Sequence, residues 1–317
     1  MPAAVSPSDQ PILLVLRALG LGDLLTAVPA VRALSRGFPE HRLVLAAPGW
    51  LEPVVSLVGG IESVLPTAGV DRPLQMSPGI TDVVVNLHGR GPVSSRLLDE
   101  LGARCKIGHR DRGWPGPVWR EGLHERVRWA DLVAAHGMPA DPDEVAIARP
   151  PVASPAPGAV VVHVGAAYGS RRWPADRFAA VARQLAAGGR QVVVSGNTAD
   201  RPRATTVARL ADLPDTANLA GRLRLDEFAA LIAAAGMLIS ADTGGAHLAS
   251  AYGVPSVVIF GPVSPALWGP PEHGPHIALT GNRQGSGDPF ADQPDPALLA
   301  VSASEVIAAA RSLMSGA

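Results

Sequence analysis

Lysine is almost missing from this sequence: Lys106 is the only one among 27 Lys and Arg residues. Nearly all the positive charge is therefore arginine. Together with abundant alanine, this reads as the signature of a GC-rich genome rather than of a special arginine chemistry. Cysteine is just as scarce. The single Cys105 excludes an internal disulfide and a cysteine metal cluster, fits a reducing cytoplasm, and is expected to serve only as packing. A basic surplus is absent too, since 27 cations face 28 carboxylates for a net charge of -1, which argues against nucleic acid as a partner. The opening "MPAAVSPSDQ" has neither a basic n-region nor an apolar h-region. The longest apolar stretch, around Ala229 to Ala241, falls short of the roughly 20 residues a membrane helix needs. The expectation is a cytoplasmic protein without a transmembrane segment, with peripheral membrane contact left open.

What the chain does have is length and rhythm. At 317 residues, with 47% hydrophobic and 17% charged, it is soluble and globular in composition and long enough for two domains of about 150 residues each. Short β-branched runs at 12–17, 42–47, 82–89 and 104–108 alternate with helix-periodic stretches. The pattern returns with strands expected at 159–165, 190–196, 237–241 and 255–261, and helices at 174–187, 200–211, 225–235 and 244–252. Continuous apolar strands between amphipathic helices predict parallel sheets covered on both faces. Between the halves, "GMPADPDEVAIARPPVASPAPGA" is too rich in proline for a helix or a central strand. The boundary is placed there, giving domains 1–153 and 154–317. A last helix at 303–314 follows the polar loop 280–296, which is long enough to let that helix pack back on the first domain.

In parallel α/β sheets ligands bind beyond the carboxyl ends of the strands, and three such ends are over-specified here. In "LISADTGGAHLASAYGVPSVVIFGP" the strand ending at Ala241 runs into Asp242, Thr243, Gly244, Gly245 and, in the next helix's first turn, His247. Asp242 can cap the helix or orient a ribose or sugar hydroxyl. The small residues offer unobstructed N–H groups to an anion, and His247 can reach it. In "LRALGLGDLLTAVPAVRAL" glycines, Gly22 among them, precede Asp23 at a helix start. Leu25 stands where a dinucleotide fingerprint needs its third glycine, and no acidic residue closes the second strand, so nicotinamide and S-adenosylmethionine readings lose ground. Asp23 is either a plain N-cap or a carboxylate offered to a ligand. In "HVGAAYGSRRWPADRFAAVARQL" Pro174 suits the first helical position, Trp173 anchors the loop, Arg171 can clamp phosphate oxygens and Arg172 is expected in solvent. Asp200 marks another helix start, suited to a ribose or to capping. Asn86, His88 and Arg90, at a strand end of the first half, form a candidate acceptor wall. No metal-ligand spacing and no nucleophile elbow is present.

These stretches together resemble glycosyltransferase family 9, the lipopolysaccharide heptosyltransferases. The basic residue, small residues and Leu-Gly-Asp of "RALGLGD", the "SRRWP" run, and the Asp-Thr-Gly to Phe-Gly-Pro stretch of 242–262 carry the likeness. The resemblance implies two Rossmann-like domains facing across a cleft, the GT-B type, with an inverting mechanism and neither metal nor other cofactor. It implies Asp23 as catalytic base, with Gly22, Arg171, Asp242, Thr243, Gly244, Gly245 and His247 on the donor. Asp200 would meet the ribose and Leu223 would cover the base. Arg171 replaces the family's lysine and Asp200, one methylene shorter, stands in for its glutamate. The donor is then an ADP-linked heptose. The acceptor is a saccharide, a lipid-linked saccharide or a small molecule, in lipopolysaccharide or other glycoconjugate biosynthesis. Rival readings are a nucleotide-sugar epimerase or hydrolase on the same plan, and a non-catalytic nucleotide-sugar-binding protein.

Overall fold

A computed structural model describes residues 10–281 and 287–315. It divides into two units, the first ending at Ala148 and the second beginning at Arg149. Neighbouring residues commit to opposite sides of that division. The Ala148 N–H donates to Leu57 O in the first unit, whereas Arg149 Nη1 donates to Ala233 O in the second. Residues 136–159 contain no helix or strand, as their proline content requires.

The first unit is built on β1 (Ile12–Leu16), β2 (Arg42–Ala47), β3 (Ser63–Pro66), β4 (Thr81–Asn86) and β5 (Cys105–Ile107), all parallel, in the order β3-β2-β1-β4-β5. The second holds β6 (Val160–His163), β7 (Val192–Ser195), β8 (Met237–Ala241), β9 (Ser256–Phe260) and β10 (His276–Thr280), parallel in the order β10-β9-β8-β6-β7. Every residue of β1, β8 and β9 is buried, the result of helices covering both faces. Leu14, Leu16, Val44 and Val84 centre one core. Val162, Phe178, Ile239 and Val257 centre the other.

Strand order decides where a ligand can sit. In each sheet the order reverses once, and the two strands flanking the reversal send their loops in opposite directions, opening a crevice at their carboxyl ends. In the first sheet the reversal lies between β1 and β4, whose last residues Leu16 and Asn86 are register partners. In the second it lies between β6 and β8, where His163 pairs with Ser240.

The structure adds two strands to the eight expected. Both β3 and β10 are outermost strands and only partly buried. The boundaries of the predicted strands contract by one to three residues at some ends. The helix carrying Asp23 begins at Leu21, so the carboxylate sits one turn in rather than at the cap. Pro174 precedes its helix, which starts at Ala175. The last helix, Ala303–Ser315, packs against Ala175–Ala187 and the β9 and β10 side of the second sheet. Within the polar loop 280–296, residues 282–286 lie outside the described residues, as do residues 1–9 of the opening segment, and a short helix Pro296–Ala300 closes it. No helix among the described residues is long and apolar enough to cross a membrane.

Candidate active site

At the first reversal, β1 delivers Arg17 into the protein rather than into water: it is 1% exposed. A buried guanidinium must spend its donors on fixed acceptors, and Arg17 does. Its Nε donates to Asp23 O at 3.0 Å. Nη1 donates to Leu87 O just beyond β4 at 2.5 Å. Nη2 donates to Asp23 Oδ1 at 3.4 Å, Thr26 Oγ1 at 3.4 Å and Glu125 Oε1 at 3.1 Å. The same guanidinium stacks on Trp129, 4.8 Å from the ring centre. Arg17 thereby ties the β1 turn, the end of β4 and the helix Glu125–Ala135 together. Asp23 Oδ2 accepts the Gly20 N–H at 3.2 Å. The carboxylate is thus oriented from behind and still 29% exposed, the state a general base needs.

The residues after β4 divide in role. Asn86 is buried, its Nδ2 donating to Ser94 Oγ at 3.0 Å and its Oδ1 accepting the His88 N–H at 3.1 Å. It shapes the turn instead of facing outward. His88 Nδ1 is buried without a hydrogen-bond partner among the described residues. Burial, and then the charge of Arg17, push the His88 imidazole down to about 4, so it is neutral near pH 7. Arg90 is exposed, 3.7 Å from Glu121 Oε1.

At the second reversal, β8 ends at Ala241 and the helix Gly244–Tyr252 starts with Thr243 in the cap position. Asp242 is not the cap. Its carboxylate is buried between Arg171 Nη1 at 3.4 Å and His247 Nε2 at 3.9 Å. Arg171 comes from the short 3-10 turn Gly169–Arg171 that follows β6. That loop is pinned by Trp173, wholly buried with its Nε1 donating to Val301 O at 3.0 Å, while Arg172 is exposed. Two groups beside the helix terminus are buried and have no hydrogen-bond partner among the described residues: Arg171 Nε and Thr243 Oγ1. Together with the helix's first N–H groups, these two unsatisfied groups are an arrangement that can receive an anion. A β-carbon at Gly245 would come within 3.2 Å of Phe228 Cζ, so any larger residue there requires that ring to shift by a few tenths of an ångström.

Asp200 stands at the helix start after β7, but its carboxylate accepts the Asn197 N–H at 2.9 Å and caps no helix N–H. It is 5% exposed. Its turn lies against the loop that carries Leu223: Gly221 N–H donates to Gly196 O at 2.9 Å, and Arg201 Nη2 donates to Gly221 O at 3.1 Å. Leu223 is half-buried. Residues 196–200 and 219–223 therefore form one edge of the second unit's ligand end. Nothing in the sequence reading assigned roles to Arg17, Glu125 or His163. His163 closes β6, with Nδ1 3.0 Å from Ser195 Oγ and its ring 5.1 Å from that of Phe228. The only available signal was Arg17 itself, in the basic position of "RALGLGD". Among the described residues no three His, Cys, Asp or Glu side chains gather in a way that could hold a metal ion.

Solved structures share this architecture. The chain matches that of Escherichia coli ADP-heptose lipopolysaccharide heptosyltransferase II with a TM-score of 0.74 and 20% identity, covering 96% of this chain and 99% of that one. The E. coli heptosyltransferase WaaC with ADP gives 0.70 at 18% identity over 96% and 99%. Two successive units, each a parallel Rossmann-like sheet, are the GT-B fold that these heptosyltransferases share. Within that class, the model of glycosyltransferase family 9 (heptosyltransferase) matches residues 135–287. The lipopolysaccharide heptosyltransferase 2 of E. coli K12 is 24% identical over 311 residues, 82% of this chain and 86% of that protein. The chain is thus similar to glycosyltransferase family 9 over residues 135–287 and to a lipopolysaccharide heptosyltransferase over most of its length.

Proposed function

We propose that this protein is an inverting, metal-independent heptosyltransferase that moves a heptosyl group from an ADP-linked donor to a hydroxyl of a saccharide, lipid-linked saccharide or small-molecule acceptor. The observation that carries the reading is the pair of partnerless buried atoms, Arg171 Nε and Thr243 Oγ1, at the N-terminus of Gly244–Tyr252. The relatives' names, one with ADP-heptose and one with ADP, support the choice of donor.

The chemistry is a single displacement. The acceptor hydroxyl gives its proton to the Asp23 carboxylate as its oxygen attacks the anomeric carbon. The bond from that carbon to the diphosphate oxygen breaks, and its electron pair leaves with ADP. Negative charge then grows on the diphosphate, where the N–H groups at Gly244 and Gly245, the Arg171 guanidinium and His247 meet it. One displacement on the face opposite the leaving group inverts the anomeric centre. His88, with its unpartnered Nδ1, is the better acceptor contact after β4, and Asn86 fixes the turn that presents it. Asp200 and Leu223 are assigned to the nucleoside end.

A divalent ion at the diphosphate would need carboxylates free to bind it. The near carboxylate, Asp242, is engaged by Arg171. Incubation with ADP-heptose and an acceptor panel tests the proposal: ADP release coupled to a product of inverted configuration by NMR supports it. ADP release without a sugar product, or a retained anomeric configuration, would refute it.

A further inference from the structure

Behind Asp23 lies a buried charge network that is larger than a single aspartate needs for support. Glu125, 14% exposed, opens the helix Glu125–Ala135 and is held on three sides. Its Oε1 takes Arg17 Nη2 at 3.1 Å and Trp129 Nε1 at 2.8 Å; its Oε2 takes Arg128 Nε at 3.2 Å. Arg128 is itself fixed, lying 3.8 Å over the Trp119 ring and donating from Nη1 to Arg120 O at 2.6 Å. The helix rests against Val28–Gly37, the helix that follows Asp23's own.

The charges balance. Arg17 and Arg128 face Asp23 and Glu125, while the two nearby imidazoles, His88 and His109, are both held below their ordinary range by burial, His109 with its Nδ1 3.3 Å from Pro117 O. His124, just before Glu125, uses Nδ1 to accept the Arg126 N–H at 3.1 Å. Arg17 Nη2 lies closer to Glu125 than to Asp23, 3.1 against 3.4 Å. Without the Glu125 charge, Asp23 would be the one carboxylate left to Arg17 among the described contacts. It would be drawn into a direct pair, turned away from the acceptor and made a weaker base.

We propose that Glu125 is a positioning residue for transfer: by sharing Arg17 it keeps Asp23 oriented and basic. This rests on the reading of Asp23 as the base. Glu125 touches no reacting atom, so its test must separate tuning from mere support. In Glu125→Gln, kcat for transfer should fall about tenfold or more with ADP affinity within about twofold. The acid limb of the kcat/KM profile should move down by about one pH unit. Glu125→Asp keeps the charge and should leave that limb at the wild-type pH even where kcat falls. An unmoved limb in Glu125→Gln, with any loss of rate matched by loss of folded protein in a thermal melt, would overturn the proposal. Should Glu125→Gln fail to fold, Trp129→Phe retains the ring over Arg17 and removes the indole N–H from Glu125. There kcat should drop about threefold or more at unchanged ADP affinity, and wild-type kcat would count against the proposal. Asp23→Asn in the same assay separates the two claims. If it still transfers, the base reading fails first; if it is inactive while Glu125→Gln behaves as wild type, only the role of Glu125 falls.

Discussion

Asp242 sits between Arg171 and His247, a buried carboxylate with a cation on one side and an imidazole on the other, at the place proposed here for the leaving diphosphate. Its pairing leaves Arg171 with a donor, Nε, that no described residue accepts. A hydrogen bond to a charged group contributes about 1.5–3 kcal/mol, so Arg171→Ala should weaken ADP binding by roughly 10- to 100-fold in calorimetry and leave adenosine nearly unchanged. Equal losses for both ligands would remove Arg171 from the phosphates. His163 supplies a second residue-scale prediction. Loss of solvent around the half-buried ring pushes the His163 imidazole down to about 4, against an ordinary value near 6.5. The folded state therefore keeps it neutral, while the unfolded state binds a proton as pH falls below 6.5. Stability is full above that pH and is lost between about 6.5 and 4, at up to about 1.4 kcal/mol per pH unit. His163→Gln should flatten the fall of Tm over that window; an unchanged slope would exclude His163 as its cause. Arg171, Asp242 and His247 were legible because local spacing alone puts them at strand ends. Glu125 was not, since it meets Arg17 across 108 residues of sequence and nothing around it marks the pairing.

At the scale of elements, the strands easiest to read were those buried on both faces, such as β1 and β8, because burial on both sides demands a continuous apolar run. The edge strands β3, "SVLP", and β10, "HIALT", have one neighbour each and partial burial, so their sequences carry no such demand. Two helix starts lie elsewhere than the aspartates suggest: the cap is Gly20, three residues before Asp23, and Thr243, one residue after Asp242. Asp23 and Asp242 look like caps because caps favour aspartate, but both carboxylates are occupied by arginines, Arg17 and Arg171. That competing interaction is invisible in local sequence. The turn after β6 provides the test at this scale. A β-carbon on Gly165 would fall 2.6 Å from Asp200 Oδ2 and 3.0 Å from His163 Nε2. Gly165→Ala should therefore destabilise the protein by about 1–3 kcal/mol in urea unfolding and weaken ADP binding with it, because the β6 and β7 turns must part. Wild-type stability would mean that the two turns yield without cost.

At the scale of the whole molecule, each of the two parallel sheets, though their strand orders differ, carries its candidate side chains at the carboxyl ends of the strands beside its own reversal. The alternation of apolar runs and amphipathic stretches marks out the sheets but not their strand orders, which depend on long-range packing. If charge at the diphosphate is met by Arg171, His247 and a helix terminus, transfer in excess EDTA should stay within about twofold of the rate with magnesium, under roughly 0.5 kcal/mol in the barrier. Turnover lost on chelation and restored by a divalent ion would contradict that assignment. The account turns most directly on Asp23, held by Arg17 and Gly20 and still open to an acceptor. The decisive measurement compares single-turnover transfer from ADP-heptose by the wild type and by Asp23→Asn, alongside ADP titration of both. The amide keeps the size of the side chain and cannot take the proton, so the rate should fall by about 10²–10⁴ while ADP affinity is preserved. A variant that transfers at near the wild-type rate, or that loses ADP binding in the same proportion as turnover, would show that Asp23 is not the base.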